Sequence, residues 1–257
     1  EEAMAFVSRK QRSAPLQAEV MKLLCSVGEG STKEICYLTG ASLATIRRLE
    51  TMGYLSLTVR DAFRTPLPAF VEKAVPLVLN QEQEAAYLRL QAQTRKDKPG
   101  VALLYGVTGS GKTEVYLRTL RYVLDQGNGA MVLVPEIALT PQLIGRFRAV
   151  LGEYVEVLHS NMSDGERFDA WQRLYRGETR VVVGVRSAVF APVQNLGLVI
   201  LDEEQEDSYR SENAPRYHAK DIARYRCAKA ECLLLLGSAT PDICSYHHAQ
   251  SGRYSFF

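Results

Sequence analysis

The sequence GVTGSGKT, at residues 106–113, decides the fold that we predict for this chain. The apolar run VALLY at 101–105 precedes it and is typical of a buried strand, whereas 114–124 has the spacing of a helix. A strand, a glycine-rich loop and a helix in this order form a P-loop, whose backbone N–H groups and helix N-terminus bind phosphate. A chance glycine-rich turn is the alternative, but the Lys-Thr pair in register favours a nucleotide-binding site.

The residues of this loop suit a nucleotide phosphate and its metal ion. The three glycines allow the backbone to turn tightly, so that successive N–H groups point at one anion. Lys112 is long enough to reach the outer phosphates, and the hydroxyl of Thr113 can hold Mg²⁺. The predicted cofactors are therefore ATP and Mg²⁺. The residues predicted to bind them are Gly106, Val107, Thr108, Gly109, Ser110, Gly111, Lys112 and Thr113.

The composition is that of a globular protein with enough apolar residues to build a core. The 257 residues are 46% hydrophobic and 23% charged, and the net charge is +2. Any nucleic-acid surface therefore has to be a local patch. No apolar run reaches the length of a membrane span, and the first ten residues lack the pattern of a signal peptide. Five cysteines occur without a C-x-x-C pair, so we expect reduced thiols, no zinc site within the chain and a cytoplasmic location.

Apolar runs and helical segments alternate from about residue 78 onward. The runs lie at 101–105, 130–134, 155–158, 180–185, 198–201 and 233–236. Such alternation predicts an α/β fold in which a parallel sheet lies between layers of helices. Ligands of these sheets bind beyond the carboxyl ends of the strands, where this sequence places its polar clusters.

Asp202 and Glu203 directly follow the apolar run at 198–201. An aspartate at the end of a buried strand can hold Mg²⁺, and the next glutamate can align and deprotonate an attacking water. Two solvated acids on a surface turn are the alternative, but the P-loop upstream favours catalysis. The predicted catalytic residues are Lys112, Asp202 and Glu203, and the predicted metal ligands are Thr113 and Asp202.

The first 65 residues predict a small helical domain of a different kind. Three helical patterns end at glycines, the third buries Leu43, Ile46 and Leu49, and an alternating run at 54–59 is typical of a hairpin strand. This order is that of a winged helix, in which Arg47 and Arg48 of the third helix would contact DNA. A protein-docking or spacer module is the alternative.

Prolines between these two parts of the chain predict an extended linker. Pro66, Pro68 and Pro76 all fall within a short segment. The predicted organisation is therefore a winged-helix domain at 1–65, a linker at 66–77 and a nucleotide-binding domain at 78–257.

Further motifs accompany the P-loop, and they carry a resemblance to a known family. They read VPEIALTPQ from Val134, HS at His159, VVVGVRSAVFAP from Val181, DEEQ from Asp202, PRYHAKDIA from Pro215 and GSATP from Gly237. Over nearly the whole chain they resemble the bacterial primosomal replication-restart helicases of helicase superfamily 2. The resemblance implies a RecA-like motor lobe after a winged helix, ATP-dependent 3′-to-5′ DNA unwinding, and a part in primosome assembly at stalled forks.

The resemblance also implies roles for residues at matching positions. Gln83 would read the adenine edge, while Gln205, Ser238 and Thr240 would couple the nucleotide state to lobe movement. Two segments would contact single-stranded DNA, through Pro135, Thr140, Gln142, Arg186 and Ser187. An aromatic-rich loop would sense DNA through Tyr209, Arg210, Arg216, Tyr217 and His218, and stacking on aromatic rings suits binding without sequence preference. For Tyr217 and His218 a packed helix start is the alternative.

The chain departs from the family pattern at three positions. Gln205 stands where the family usually has histidine, Val185 where many members have threonine, and Pro215 where a tryptophan is often found. Because of these changes, the sequence supports the coupling of DNA binding to ATP hydrolysis less directly than it supports the nucleotide-binding site. The partners implied are single-stranded and forked DNA, single-strand binding protein, other primosome proteins and the replicative helicase loader, in the bacterial nucleoid and without a membrane.

The family uses parts that these residues do not supply. The 17 residues after Thr240 are too few for the second lobe, which closes over the nucleotide and contributes arginine fingers. A zinc-binding cysteine-rich region and an N-terminal domain that holds a 3′ DNA end are also expected elsewhere. We therefore expect a piece of a longer protein, with weak ATP binding, negligible hydrolysis and no unwinding alone.

Two other classes of protein share some of these features. A winged-helix regulator with a P-loop signalling ATPase would bind one duplex sequence, but the DEEQ and GSAT motifs favour a helicase. A P-loop kinase would leave the helical domain unexplained, and no acceptor pocket is visible in the sequence.

Overall fold

The computed structural model describes residues 7, 14–27, 32–57, 78–95, 99–160 and 162–257. Contacts divide the chain into two units, Glu1–Ala62 and Phe63–Phe257. The predicted linker at 66–77 lies outside the described residues, so the three-part organisation stays a prediction.

A parallel sheet forms the middle of the second unit. In the described residues it has seven strands in the order β3-β4-β2-β5-β6-β1-β7. The strands are β1 Gly100–Tyr105, β2 Gly129–Leu133, β3 Val155–Leu158, β4 Val181–Gly184, β5 Leu196–Leu201, β6 Leu233–Ser238 and β7 Ser255–Phe256. Every pairing between neighbouring strands is parallel, which confirms the predicted α/β fold.

Helices cover both faces of this sheet. Those of the second unit are α4 Gln81–Thr94, α5 Lys112–Asp125, α6 Pro141–Leu151, α7 Asp164–Arg176, α8 Ala219–Ala230 and α9 Ile243–Gln250. One apolar core joins α4, α5 and α6 to the sheet, and the other joins α7, α8 and α9 to it. Within β4, Val182 lies in one core and Val183 in the other. Since side chains alternate along a strand, a sheet covered on both sides needs strands that are apolar throughout.

Local capping signals mark the ends of several helices. Ser163 and Glu166 form a reciprocal capping box at the start of α7, and Gly177 ends that helix at a φ of 72°. These interactions depend only on residues close in sequence, so local signals set both ends of this helix.

The edge strand β7 is an element that the sequence pattern did not reveal. It contains two residues, which pair with Ala102 and Leu103 of β1. Two residues show no periodicity, and tertiary pairing alone makes them a strand.

Three helices of the first unit are described along their length, at the predicted places. They are α1 Pro15–Val27, α2 Thr32–Thr39 and α3 Leu43–Thr51. Val20, Ile35, Ile46 and Leu49 are buried in their common core, whereas Leu43 is 44% exposed, contrary to the prediction. Leu43 is the first residue of α3, where the chain enters the helix at the edge of the core.

The hairpin that would complete a winged helix stays a prediction. Residues 54–57 form no strand, and 58–77 lie outside the described part of the chain. Throughout the described residues, no helix has both the length and the apolar character needed to cross a membrane.

Candidate functional site

The P-loop turns at the carboxyl end of β1, and glycine makes that turn possible. Gly109 and Gly111 have φ angles of 81° and 82°, a region that other residues rarely adopt. The backbone N–H of Gly106 donates to the carbonyl oxygen of Ser238 at 3.1 Å, which ties the loop to the end of β6. Helix α5 begins at Lys112, so its N-terminus faces the loop as an anion site requires.

Lys112 lies folded against the loop that carries it. Its Nζ donates to the carbonyl oxygen of Gly106 at 2.8 Å and lies 3.8 Å from Oε1 of Glu203. The lysine side chain is 9% exposed, so its charge is held close to the end of β5. The structure thus brings together two of the predicted catalytic residues, from two different motifs.

Gln83 reaches the P-loop from α4. Its Nε2 donates to the carbonyl oxygen of Ser110 at 2.8 Å, while its Oε1 accepts from the backbone N–H of Asn80 at 2.9 Å. A Cβ at Gly111 would lie only 2.3 Å from that Nε2, so a glycine is needed there for this contact. Gln83 thus lies beside the nucleotide loop, and its reading of adenine stays a prediction.

Asp202 lies at the carboxyl end of β5, held at both its main chain and its side chain. The hydroxyl of Tyr116 donates to Oδ1 at 2.9 Å, and the hydroxyl of Tyr209 lies 2.6 Å from the carbonyl oxygen of Asp202. Burial raises the pKa of Asp202 above its ordinary value, although the Tyr116 hydrogen bond and the Lys112 charge oppose this. The pKa of Tyr116 is raised well above its ordinary value, first by burial and then by the charge of Asp202. The hydroxyl of Tyr116 therefore stays protonated and is the donor in this hydrogen bond.

These residues fit a magnesium ion bound with a nucleotide. An ionised carboxylate has about four acceptor positions, and Tyr116 and the backbone N–H of Glu203 use only part of that capacity on Asp202. Thr113 stands in the first turn of α5, and hydroxyl and carboxylate oxygens are the ligands that Mg²⁺ prefers.

A chain of polar contacts runs from the P-loop to the end of β6. Nε2 of Gln205 donates to Oε2 of Glu203 at 3.1 Å, and Oγ of Ser238 donates to Oε1 of Gln205 at 2.5 Å. The same Oγ accepts from the backbone N–H of Thr240 at 2.8 Å. We call Lys112, Glu203, Gln205, Ser238 and Thr240 the nucleotide cluster. All three residues predicted to couple nucleotide state to movement belong to it.

Glu203 adopts a backbone conformation that is unusual for a residue with a side chain. Its φ is 45°, in the left-handed region. Such conformations persist where the surrounding contacts enforce them, and they concentrate at functional sites. Here the left-handed turn lets Glu203 point toward Lys112 while the next residue, Glu204, points into the protein.

A second group, which the sequence analysis did not assign, lies behind this site. Glu204 is 1% exposed, and its carboxylate accepts from Lys220 Nζ, from the backbone N–H of Asp242 at 2.8 Å and from Ser245 Oγ at 3.1 Å. Lys220 also pairs with Asp242. We call these four residues the ion cluster. Burial lowers the pKa of Lys220, but its bonds to Asp242 and Glu204 outweigh this and raise the pKa overall. The sequence offered two signals for this cluster. Glu204 is the third consecutive acid after a strand, and Lys220 is the lysine of PRYHAKDIA.

Tyr209 is not placed as a DNA-stacking residue, which corrects the prediction. It is fully buried, and its hydroxyl lies 2.9 Å from the carbonyl oxygen of Leu133 as well as near that of Asp202. Burial, followed by the charge of Asp202, raises its pKa, in keeping with this enclosed position. The ring therefore joins two strand ends and presents no face to a base.

Tyr217 and His218 make the contacts expected of a packed helix start, and their contact with DNA stays a prediction. Tyr217 is half-buried and packs edge-on against Phe190 with ring centroids 5.0 Å apart, and Arg186 lies over its ring at 5.9 Å. His218 caps α8 by accepting the backbone N–H of Lys220 on Nδ1 at 3.2 Å. Arg210 and Arg216 of the same loop are exposed.

The other predicted DNA contacts are spread over several loops. Pro135 is buried and Thr140 caps α6, whereas Gln142 and Ser187 are exposed. Arg186 donates to the backbone carbonyl oxygens of Ser208 and Arg210, which draws its guanidinium toward the protein. Arg47 and Arg48 are exposed on α3 of the first unit. Their contacts with DNA stay predictions.

Comparison with known proteins identifies the family. The model of the DEAD/DEAH box helicase family matches residues 80–247. The replication restart protein PriA of Bacillus subtilis is 45% identical over 247 residues, which cover 95% of this chain and 31% of that protein. PriA of Synechocystis is 40% identical, over 90% of this chain and 28% of that protein. This chain thus spans about a third of the length of the curated relatives it matches.

A solved structure agrees with the fold. RecG bound to a three-way DNA junction superposes with a TM-score of 0.55 at 24% identity, over 71% of this chain and 24% of that one. The relatives also confirm the resemblance to replication-restart proteins that the motifs indicated. The chain belongs to the DEAD/DEAH box helicase family.

Proposed function

We propose that this chain is the first motor lobe, with a preceding winged-helix domain, of an ATP-dependent 3′-to-5′ DNA helicase that acts in replication restart and primosome assembly. One observation carries the proposal: the nucleotide cluster, which joins Lys112 of the P-loop through Glu203 and Gln205 to Ser238 at the end of β6. A chain of polar contacts between the phosphate-binding loop and a second strand end gives bound nucleotide a direct means of moving that strand end.

Each residue of the site has a part in this proposal. The backbone of the P-loop would bind the phosphates, and Lys112 would exchange its contact with the Gly106 carbonyl for a phosphate oxygen. Thr113 and Asp202 would hold Mg²⁺, which when bound neutralises charge on the phosphates. Glu203, which Gln205 orients by a hydrogen bond, would take the proton from the attacking water.

The proposed substrates and partners rest on the resemblance of the motifs, and similarity to relatives named replication restart protein supports this proposal. They are single-stranded and forked DNA, single-strand binding protein, other primosome proteins and the helicase loader, in the cytoplasm at the bacterial nucleoid. Zinc belongs to the cysteine-rich region expected elsewhere in such a protein. Because arginine fingers come from the second lobe, this chain alone should hydrolyse ATP very slowly.

The test is binding of fluorescent ADP with Mg²⁺, repeated with Lys112→Ala and with forked and matched duplex DNA. We expect measurable ADP binding that falls roughly 10-fold or more in Lys112→Ala, since a phosphate loses its charged partner. We also expect forked DNA to be preferred over duplex. Absence of nucleotide binding would contradict the motor proposal for this chain, and tight binding to one duplex sequence would favour the regulator instead. Robust DNA-stimulated ATP turnover by this chain would contradict the proposed need for a second lobe.

A further inference from the structure

Tyr116 lies on α5 one turn after Lys112, yet it points away from the P-loop surface. Its side chain is 1% exposed, and its hydroxyl donates to Oδ1 of Asp202 at 2.9 Å across 86 residues of sequence. A buried tyrosine hydroxyl needs a partner, and a buried carboxylate needs donors. Each of the two groups satisfies the other.

The end of β6 is shaped around this hydroxyl. A Cβ at Gly237 would lie 1.6 Å from the hydroxyl oxygen of Tyr116 and 3.4 Å from Oδ1 of Asp202. No side chain fits there unless the hydroxyl leaves its position. The glycine of the GSATP motif therefore provides space for the contact between α5 and the end of β5.

The two tyrosines around Asp202 hold different parts of that residue. Tyr209 lies beside its carbonyl oxygen and the carbonyl oxygen of Leu133, so it fixes the main chain between two strand ends. Tyr116 contacts the carboxylate itself. Of the two tyrosines, Tyr116 is therefore the one whose hydrogen bond restricts rotation of the carboxylate about its side-chain bonds.

We propose that Tyr116 is a positioning residue that holds the Asp202 carboxylate in the orientation that Mg²⁺ requires. This inference rests on the proposed nucleotide site. The positive charge of Lys112 also acts on the Asp202 carboxylate and favours its ionised form. Without the hydroxyl, the carboxylate loses the side-chain donor that holds its rotation, so the orientation that binds Mg²⁺ is less populated.

The experiment measures how strongly Mg²⁺ enhances ADP binding. Fluorescent ADP is titrated into wild-type chain and Tyr116→Phe over a range of Mg²⁺ concentrations and again in excess chelator. We expect Tyr116→Phe to need roughly 10-fold more Mg²⁺ for half-maximal enhancement, the usual cost of losing a partner of a metal ligand. Affinity in chelator should stay the same, because the P-loop and Lys112 are unchanged.

Two further variants separate positioning from general damage. Tyr122→Phe removes a hydroxyl from the same helix, where Tyr122 contacts Arg95 instead of the site, and should leave the Mg²⁺ requirement unchanged. Gly237→Ala displaces the Tyr116 hydroxyl without altering tyrosine or aspartate, and should raise the requirement as Tyr116→Phe does. All titrations are made at a temperature where circular dichroism shows each variant folded.

The outcomes distinguish this inference from the proposed function. If wild-type chain binds ADP with Mg²⁺ and Tyr116→Phe shows the same Mg²⁺ requirement, the positioning role is wrong and the nucleotide site stands. An equal loss of affinity with and without Mg²⁺ would also overturn it, since that result reports general damage. If wild-type chain binds no nucleotide, both proposals fail.

Discussion

The nucleotide cluster and the ion cluster contain adjacent residues, Glu203 and Glu204, but the fold pairs their charges very differently. In the nucleotide cluster, Lys112 and Glu203 are 3.8 Å apart and the glutamate side chain is 28% exposed. In the ion cluster, the Glu204 side chain is fully buried and accepts from lysine, hydroxyl and backbone donors. Loosely paired charges can exchange partners for a ligand, whereas fully paired buried charges resist any change. We infer that the first cluster responds to nucleotide and the second provides the rigid support against which it moves.

The largest expected loss of folding stability follows from a substitution in the ion cluster. Lys220→Met leaves Glu204 buried without its cation, and removing one partner of a buried pair costs about 3–5 kcal/mol. Trp171, the one tryptophan of the sequence, packs against the same core as α8 and reports unfolding of this unit in urea. The matched control is Arg121→Met, which breaks the exposed pair with Asp125 and should change stability by less than about 0.5 kcal/mol. Equal effects of the two substitutions would remove the distinction between the clusters.

A smaller loss of folding stability is expected from a substitution in the nucleotide cluster. Gln205→Ala removes one hydrogen bond to Glu203 and one to Ser238, and partly exposed hydrogen bonds of this kind contribute about 1 kcal/mol together. Urea unfolding followed by Trp171 gives the change, and a double-mutant cycle with Ser238→Ala isolates the Gln205–Ser238 contact. A destabilisation as large as that of Lys220→Met would mean that both clusters are structural.

The smallest effect concerns His218, which joins the aromatic-rich loop to the ion cluster at Lys220. Burial, followed by the charge of Lys220, lowers its pKa, so the unfolded chain binds a proton more readily than the folded one. The contribution of neutral His218 to the free energy of unfolding is therefore complete above the ordinary histidine pKa. It is lost as the pH falls through that value toward the lowered pKa of the folded state. Protonation also removes the acceptor that caps α8.

The measurement compares wild type with His218→Asn from about pH 8 to about pH 5.5. Asparagine caps a helix without titrating, so wild type should lose more stability over this range, by about 1 kcal/mol or less. The other three histidines are common to both proteins and cancel in the difference. Parallel pH profiles would show that the cap does not depend on the protonation of His218.

Much of the nucleotide site was predictable because local patterns specify it. The glycines, Lys112 and Thr113 stand within eight consecutive residues, and Asp202 and Glu203 directly follow a run of apolar residues. A strand covered on both faces has to be apolar throughout, so its end is visible in the sequence. The roles of the side chains in the aromatic-rich loop were harder to predict, because a tyrosine in a polar segment can either stack on a base or pack inside the protein.

The sequence by itself determined the P-loop, the six longer strands of the described sheet and the ends of the capped helices, since each depends on neighbouring residues. Only the tertiary structure decided that Tyr209 packs inward, that Tyr116 contacts Asp202 and that Glu204 pairs with Lys220. Tyr209 lies 76 residues from Leu133 in the sequence, and Tyr116 lies 86 residues from Asp202. Glu204 lies 16 residues from Lys220. No periodicity links side chains at such distances. They meet because the parallel sheet brings the carboxyl ends of β2, β5 and β6 to one edge.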